Sequence, residues 1–183
     1  VPKEKADRFL PNHYWDANND KLATIVNDSN SAMANYHKVS LHSGGGGLVS
    51  TAMDYLKFAE AMRNGGELNG KRILGDKTVK FMTKNHLPGS ISSTGTGESP
   101  LLAAEQRGFG FGLGFGVVTD AVNNGVIGSN GEFNWGGAAG TVFWIDPVEE
   151  IVVVGMIQLM GSPWSLRSDL KVATYQAVTK SYE

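Results

Sequence analysis

The fold of this chain is most constrained by one stretch, Trp135-Gly136-Gly137-Ala138-Ala139-Gly140, followed directly by Thr141-Val142-Phe143-Trp144-Ile145-Asp146. The second half is rich in β-branched and aromatic residues and predicts a strand. Glycine weakens a strand and offers no packing, so a cluster of small residues indicates that a ligand or another backbone lies close against it. We therefore predict a strand in the wall of a binding or active site.

Two further strand patterns flank this stretch. Phenylalanine, leucine and valine alternate with glycine from Gly108 to Val117, which predicts one strand with an apolar face and a bare face that a helix can approach closely. A tight connection at 146–150 leads to a third strand over 151–159. Three consecutive strands with short links predict an antiparallel meander.

Helical patterns surround the strands. Thr51 and Asp54 have the spacing of a capping box, and Asn64-Gly65-Gly66 ends the helix that follows them. After a turn at Asn69-Gly70, Asp76 is predicted to cap a short helix ending near Met82. Apolar residues at helical spacing predict one buried stripe on the first helix and one on the last. The stripe of the first helix is Ala52, Tyr55, Leu56, Ala59 and Met62. The stripe of the last helix is Leu166, Leu170, Ala173 and Ala177.

The N-terminal region, residues 1–43, is polar and irregular, and we predict in it one short strand pair, near 9–14 and 22–26. Helices before and after a group of strands give an α+β fold, an antiparallel sheet with flanking helices. The chain of 183 residues has room for one domain with a core. Because it begins Val1-Pro2 and not with methionine, we expect it to be part of a longer polypeptide.

Composition excludes several classes of function. The net charge of -2 gives no electrostatic reason to expect nucleic acid as a partner. The absence of cysteine excludes disulfides, thiolate metal sites and cysteine catalysis, and leaves the redox compartment open. No apolar run approaches the roughly 20 residues of a membrane span. The histidines have no zinc-binding spacing, so neither a metal nor another cofactor is predicted; they are His13, His37, His42 and His86.

Other motifs favour a structural interpretation. Gly44–Gly47 is not followed by the Lys-Ser or Lys-Thr pair of a phosphate-binding loop, and the glycines of 108–116 do not have dinucleotide-binding spacing. Ser168-Asp169-Leu170-Lys171 matches the Ser-x-x-Lys nucleophile motif. We reject this match because helical spacing puts Ser168 and Lys171 opposite the predicted buried stripe, where water would surround the lysine and prevent it from acting as a base.

Several segments, taken in order, resemble the C-terminal half of the serine β-lactamase-like and penicillin-binding-protein-like hydrolases. The resemblance is strongest to the esterases related to class C β-lactamases and D-alanyl-D-alanine carboxypeptidases, and it runs along nearly the whole chain. The segments are Pro2-x-Glu4-Lys5-Ala6-Asp7-Arg8, Gly45–Ala52 with Asp54-Tyr55, Asn64–Leu68, Met82-Thr83 and Trp135–Thr141.

The resemblance implies a partial β-lactamase/DD-peptidase-like fold and a role for the opening stretch. Trp135, Gly136 and Gly137 correspond to the family's third motif, on the strand that lines the active site. The backbone N–H of Ala138 would then be one oxyanion-hole donor, and small neighbours would let a substrate carbonyl approach it. Trp135 stands where the family has Lys or His, which implies ester substrates in preference to penicillins or peptides.

The sequence also departs from the family. No tyrosine is followed by asparagine two residues later, and Ser168 and Lys171 form the only Ser-x-x-Lys pair. Residues 1–183 thus resemble the C-terminal part of a β-lactamase-like domain without its nucleophile or base, and we expect the chain to be inactive alone. An incomplete sheet leaves an open edge, so we predict pairing with the N-terminal half or self-association.

Two hypotheses remain open. The first is a serine hydrolase, of carboxylesterase type, that acts on a small ester or amide substrate once complete. The second is a non-catalytic binding or regulatory module that retains the fold. An upstream Ser-x-x-Lys and Tyr-x-Asn would favour the enzyme.

Overall fold

The protein has an α+β fold, as predicted. The computed structural model describes residues 3–25, 44–45, 48–87, 108–125 and 127–182. A short 3-10 helix, Lys3–Arg8, precedes the first strand. The strands are β1 (His13–Asp16), β2 (Lys21–Thr24), β3 (Glu67–Leu68), β4 (Lys71–Arg72), β5 (Phe109–Phe111), β6 (Gly116–Val118), β7 (Phe133–Gly136), β8 (Val142–Asp146), β9 (Ile151–Gly155) and β10 (Leu159–Met160). The α-helices are α1 (Ala52–Arg63), α2 (Asp76–Met82), α3 (Ala121–Asn124) and α4 (Leu166–Gln176).

The central sheet has five strands in the order β5-β6-β7-β8-β9. Each strand is antiparallel to its neighbour, which confirms the predicted meander. It has five strands and not three, because the strand predicted from Trp135 to Asp146 is also a hairpin, β7 and β8. The strand predicted over 151–159 ends at Gly155. Side chains alternate between the two faces of a strand, so Phe143 and Ile145 of β8 point to one face and Trp144 and Asp146 to the other. A different helix covers each face.

The predicted single strand over 108–117 is wrong, because the chain reverses within it. β5 and β6 are the two arms of a hairpin, closed by a hydrogen bond from Gly112 N–H to the Phe115 carbonyl (2.7 Å). Gly114 supplies the positive φ of +92° that the reversal requires. Alternating glycine and apolar residues have the same period in one long strand as in two short arms, so the pattern could not indicate the turn.

Helix α1 covers the first face of the sheet and packs on β8 and β9. Ala59 and Met62 are buried against Phe143 and Ile145, which confirms the predicted stripe except at its exposed first residue, Ala52. The predicted start of the helix is also confirmed, since the Thr51 hydroxyl accepts a hydrogen bond from Asp54 N–H (3.2 Å). We call this side of the sheet the α1 face.

A small β-hairpin and α2 follow α1. Asn69 and Gly70 have positive φ values of 49° and 73° and form the predicted turn between β3 and β4. Asp76 is the first residue of α2 and not its cap. The cap position belongs to Gly75, which has no side chain that could cap the helix. The end of α2 lies against the central sheet, since a Cβ added at Gly112 would come within 2.0 Å of the Met82 carbonyl oxygen.

Helix α4 covers the second face, which we call the α4 face, and the stripe predicted for it is wrong. Leu166 and Leu170 are 41% and 37% exposed, and the residue of α4 that is buried is Tyr175. The helix turns a polar side to the sheet because two carboxylates, Glu132 and Asp146, are fully buried there and require polar partners.

The predicted N-terminal strand pair is confirmed with shifted bounds. β1 and β2 pair antiparallel, and β1 also pairs parallel with β10 in a second, three-stranded sheet. The rings of Trp15 and Trp164 meet edge to face at 5.0 Å, which links this sheet to the segment before α4. Among the described residues, no helix combines the length and the apolar character that crossing a membrane requires.

Candidate active site

The turn between β7 and β8 carries the residues that the sequence placed at the site. Gly137 N–H donates to the Thr141 carbonyl (2.9 Å), and Gly140 N–H donates to the Gly137 carbonyl (3.0 Å). Gly140 has a φ of +85°, which is typical of a hairpin loop that ends on a left-handed glycine. Ala138 is exposed at the tip of this turn.

The peptide group between Gly137 and Ala138 differs in its hydrogen bonding on its two sides. Within the described ranges, no oxygen accepts a hydrogen bond from the Ala138 N–H. The Gly137 carbonyl of the same peptide group accepts two hydrogen bonds, from Gly140 N–H and from the Arg167 guanidinium. One side of this peptide is thus held by the protein while its N–H faces outward.

Trp135 lies on β7, beside the turn. Trp135 is 46% exposed, and its ring packs edge to face against Phe111, with ring centroids 5.1 Å apart. The contact fixes one side of the indole and leaves a large apolar surface open beside Gly136 and Gly137.

Side chains explain why glycine stands at 136 and 137. A Cβ added at Gly136 would lie 2.7 Å from Cζ of Arg167, and one at Gly137 would lie 2.4 Å from Oγ1 of Thr141. The sequence interpretation assigned this closeness to a ligand or another backbone. In the structure, the nearest atoms belong to the Arg167 and Thr141 side chains, and the backbone oxygen of Thr141 lies 3.0 Å from a Cβ added at Gly136.

A cavity of about 310 Å³ lies between α4 and the sheet. Its wall combines aromatic and charged side chains and includes the Trp135–Gly136 segment, so the cavity adjoins the turn. The lining residues are Phe109, Glu132, Asn134, Trp135, Gly136, Val142, Phe143, Trp144, Arg167, Ser168 and Lys171.

A buried polar network closes the floor of this region. Lys171 Nζ lies 2.6 Å from Glu132 Oε1, and the two side chains are 12% and 0% exposed. The Tyr175 hydroxyl lies 2.6 Å from Asp146 Oδ2 and 3.1 Å from Glu132 Oε2. Burial raises the pKa of Glu132, and Lys171 only partly offsets this effect. Burial and the hydrogen bond to Asp146 likewise raise the pKa of Tyr175.

The Ser168-x-x-Lys171 motif lies in this region, and the reason given for rejecting it is wrong. Lys171 is almost buried and is not on a solvated helix face. Its ammonium group is nevertheless engaged by a buried carboxylate, Glu132 Oε1 at 2.6 Å, and within the described ranges it makes no hydrogen bond to Ser168. The ion pair therefore argues against Lys171 as a base for Ser168.

Metal binding finds no support among the described residues, where no group of three or more His, Asp or Glu side chains is placed to hold an ion. The His86 ring Nε2 lies 2.8 Å from the Phe81 carbonyl, and His13 belongs to β1. His37, His42 and the second half of the Gly44–Gly47 run lie outside the described residues.

Sequence reasoning missed Arg167. Nothing in its local pattern distinguishes it from a surface arginine at the start of a helix. Its contact with Gly137 joins residues 30 positions apart, and only the packing of α4 on the sheet brings them together.

The antiparallel sheet with a helix on each face is the layer arrangement of proteins with the β-lactamase fold. The model of the Beta-lactamase family matches residues 1–177, and the chain belongs to that family.

Solved structures agree with this assignment. The structure is similar to EstCE1, "a hydrolase with promiscuous acyltransferase activity", with a TM-score of 0.68 and 24% identity over 92% of this chain and 43% of EstCE1. It is also similar to simvastatin synthase (LovD) from Aspergillus terreus, with a TM-score of 0.71 and 18% identity over 97% of this chain and 44% of LovD. At these identities the likeness establishes the fold.

A relative by sequence is Protein Rv1367c of Mycobacterium tuberculosis, which is 35% identical over 122 residues. The match covers 65% of this chain and 29% of that protein. The chain therefore spans less than half of EstCE1 and LovD and under a third of the mycobacterial protein.

Proposed function

We propose that residues 1–183 are the C-terminal part of a single β-lactamase-like domain, and that the complete protein is a serine hydrolase catalysing carboxylesterase-type acyl transfer. An N-terminal part would supply the Ser-x-x-Lys nucleophile and the Tyr-x-Asn base. Family membership supports this proposal, as does the fraction of its structural relatives that the chain spans.

The observation that carries the proposal is the Ala138 N–H at the exposed turn, which has no acceptor in the part of the chain that the structure describes. Attack of a serine oxygen on an ester carbonyl moves an electron pair onto the carbonyl oxygen. A backbone N–H that is already oriented and makes no internal hydrogen bond can stabilise that negative charge. The N–H of the nucleophile itself would be the second donor, and the intermediate would then collapse to an acyl-serine with release of the alcohol.

Trp135 supports an ester substrate. An uncharged aromatic side chain beside the turn offers apolar surface to an acyl group and no cation to bind a substrate carboxylate. The substrate class we propose is therefore a small neutral ester, with the wall formed by Trp135, Gly136 and Gly137.

The first test compares the isolated chain with the complete protein. Each is incubated with p-nitrophenyl acetate and with a fluorophosphonate probe that labels nucleophilic serines. We expect turnover and one labelled serine, located before residue 1 of this chain, in the complete protein only. Labelling of Ser168 would contradict the inactivity of the isolated chain. A complete protein that neither turns over nor labels would favour a binding or regulatory module.

The second test removes the donor itself. Ala138→Pro deletes the backbone N–H at the second position of the turn, which accepts proline readily. Loss of one oxyanion donor lowers kcat on the order of 100- to 1000-fold. Ala138→Ser is the matched control, because it changes the side chain and keeps the N–H. Equal activity of the two variants would remove Ala138 from the oxyanion hole.

The outer edge of β9 supports a partner. β9 has one neighbouring strand, β8, in the sheet formed by the described residues, and its side chains Ile151 to Val154 are only half-buried. An unpaired apolar edge favours pairing with another strand. We expect light scattering to show self-association of the isolated chain and a one-to-one complex once the N-terminal half is added. An isolated chain that stays monomeric and binds no N-terminal half would contradict this expectation.

A further inference from the structure

We propose that Arg167 is a positioning residue that fixes and polarises the peptide group carrying the oxyanion donor. This inference rests on the proposed function, because it assumes that Ala138 N–H stabilises an oxyanion. It concerns a side chain that the family resemblance of the sequence did not point to.

The geometry follows from the planarity of one peptide bond. The Gly137 carbonyl and the Ala138 N–H belong to the same peptide group, and the structure has no cis peptide bonds among its described residues. In a trans peptide, the C=O and N–H point in opposite directions. The Arg167 guanidinium and Gly140 N–H both hold the Gly137 oxygen, so they also set the direction in which Ala138 N–H points.

The charge of Arg167 adds a second effect. A cation that donates to a carbonyl draws electron density through the peptide group and makes its N–H a stronger donor, because linked hydrogen bonds polarise one another. Gly140 N–H alone would orient the peptide but would not supply this charge. The arginine therefore contributes both direction and donor strength.

The buried network fixes the helix that carries Arg167, whose own side chain is exposed. Arg167 lies one helical turn before Lys171, whose ion pair with Glu132 fixes α4 on the sheet. Gly136 leaves the room that the guanidinium occupies, since a Cβ there would lie 2.7 Å from Cζ. The Arg167 side chain passing over position 136 thus explains why this residue is glycine. Any effect of Gly136 on the approach of a substrate would act through Arg167.

The kinetic test uses the complete protein with p-nitrophenyl acetate. We expect Arg167→Met to lower kcat about 10- to 100-fold, below the loss for a deleted donor, with KM changed by less than about twofold. Arg167→Lys keeps a cation and is expected to recover part of kcat, and added guanidinium ion should partly rescue Arg167→Ala. Gly136→Ala, which displaces the guanidinium, should resemble Arg167→Met.

The matched control is Arg72→Met. Arg72 also donates to backbone carbonyls, those of Gly65 and Leu74 at 2.9 Å each. It lies on β4, however, and neither of these carbonyls belongs to the turn between β7 and β8. We expect its removal to leave kcat unchanged. A KM increase with unchanged kcat in Arg167→Met, or an equal loss of kcat in Arg72→Met, would overturn the inference.

A readout independent of activity separates this inference from the proposed function. In NMR spectra of the wild-type chain and the Arg167→Met variant, we expect shifts of the Gly137 carbonyl carbon and the Ala138 amide nitrogen, with the amides of α1 unchanged. Unchanged Gly137 and Ala138 signals would overturn the role of Arg167 even if the wild-type protein is an active esterase. A wild-type protein without esterase activity would instead remove the proposed function, whatever the NMR result.

Discussion

The two faces of the central sheet are stabilised in different ways. On the α1 face, Ala59 and Met62 pack on Phe143 and Ile145 in an apolar cluster, with the Arg63–Glu150 ion pair at its exposed margin. On the α4 face, α4 meets the sheet through Lys171, Glu132, Tyr175 and Asp146, and leaves a cavity beside them. One face depends on the amount of apolar area removed from water, and the other on correct pairing of buried charges.

The difference has a consequence for function. An apolar interface tolerates small shifts of the helix, whereas charge-assisted hydrogen bonds fix geometry as well as energy. The α4 face is the one that leads to Arg167 and the turn at Ala138. In the function proposed above, the part of the molecule that holds the Ala138 peptide group in a defined direction is thus the part built from directional contacts.

The largest expected effect comes from breaking the ion pair of the α4 face. Lys171→Met leaves Glu132 buried without its cation and should lower the free energy of unfolding by about 3–5 kcal/mol. Urea denaturation followed by circular dichroism measures this change. Adding Glu132→Gln to Lys171→Met removes the unpaired charge and should recover part of the loss.

The control for this variant is an exposed ion pair of similar geometry. Lys57 and Asp54 lie 2.9 Å apart with side chains 65% and 61% exposed, so Lys57→Met should leave the denaturation midpoint unchanged. If Lys171→Met were as mild as Lys57→Met, the buried pair would not be what holds α4 to the sheet.

A somewhat smaller loss is expected from a cavity in the α1 face. Ile145 is completely buried, and Ile145→Ala should lower the free energy of unfolding by about 2–5 kcal/mol. Ile73→Ala, at a largely exposed residue, should change it by less than about 0.5 kcal/mol. Unlike the loss in Lys171→Met, the loss in Ile145→Ala should not be recovered by changing a charged partner. Recovery by Glu132→Gln would contradict the separation of the two faces.

The two faces should also respond oppositely to pH. The pKa of Glu132 is raised in the folded protein, so between its ordinary value of 4.5 and the folded value the native state holds a proton that the unfolded chain releases. This contribution to the free energy of unfolding therefore falls as pH rises through that window, by at most about 1.4 kcal/mol per pH unit. Glu132→Gln should abolish it.

Glu60 on α1 should change the free energy of unfolding with pH in the opposite direction to Glu132. Its hydrogen bond from Arg63 lowers its pKa, so its contribution is present above the ordinary value of 4.5 and is lost as pH falls through the folded value. Denaturation curves between about pH 3 and pH 7 should change slope in opposite directions, below pH 4.5 for Glu60→Gln and above pH 4.5 for Glu132→Gln. A common direction would contradict the assignment of the raised pKa to Glu132.

The sequence predicted the α1 face far better than the α4 face. The stripe of α1 and the strand through Phe143 and Ile145 are local, periodic patterns, and the meander followed from them. The apolar residues of α4, Leu166 and Leu170, also form a periodic pattern, but the buried carboxylates opposite determined which side of the helix faces the sheet. Glu132 and Lys171 are 39 positions apart, and no local pattern relates them.

The candidate site divides in the same way. The small residues at 136–140 indicated a close approach, and the structure has it, but the nearest atom to Gly136 belongs to a side chain of α4 and the nearest atom to Gly137 belongs to the Thr141 side chain. Helical periodicity predicts which side of a helix is buried from the spacing of its apolar residues. It carries no information about a buried ion pair, so it placed Lys171 on the exposed side. Arg167 could not be identified for the same reason, since its role depends on where α4 lies.

The smallest effect compares how the two helices begin. Thr51 caps α1 through its hydroxyl, whereas Ser165 before α4 makes no cap bond and donates instead to the Asp169 carboxylate. Thr51→Ala should therefore lower the free energy of unfolding by about 1 kcal/mol, and Ser165→Ala by clearly less, because no backbone N–H of α4 loses a partner. Paired urea titrations resolve this difference. Equal losses would mean that α4, like α1, depends on a local cap, and would weaken the view that tertiary charge pairing alone holds α4 in place.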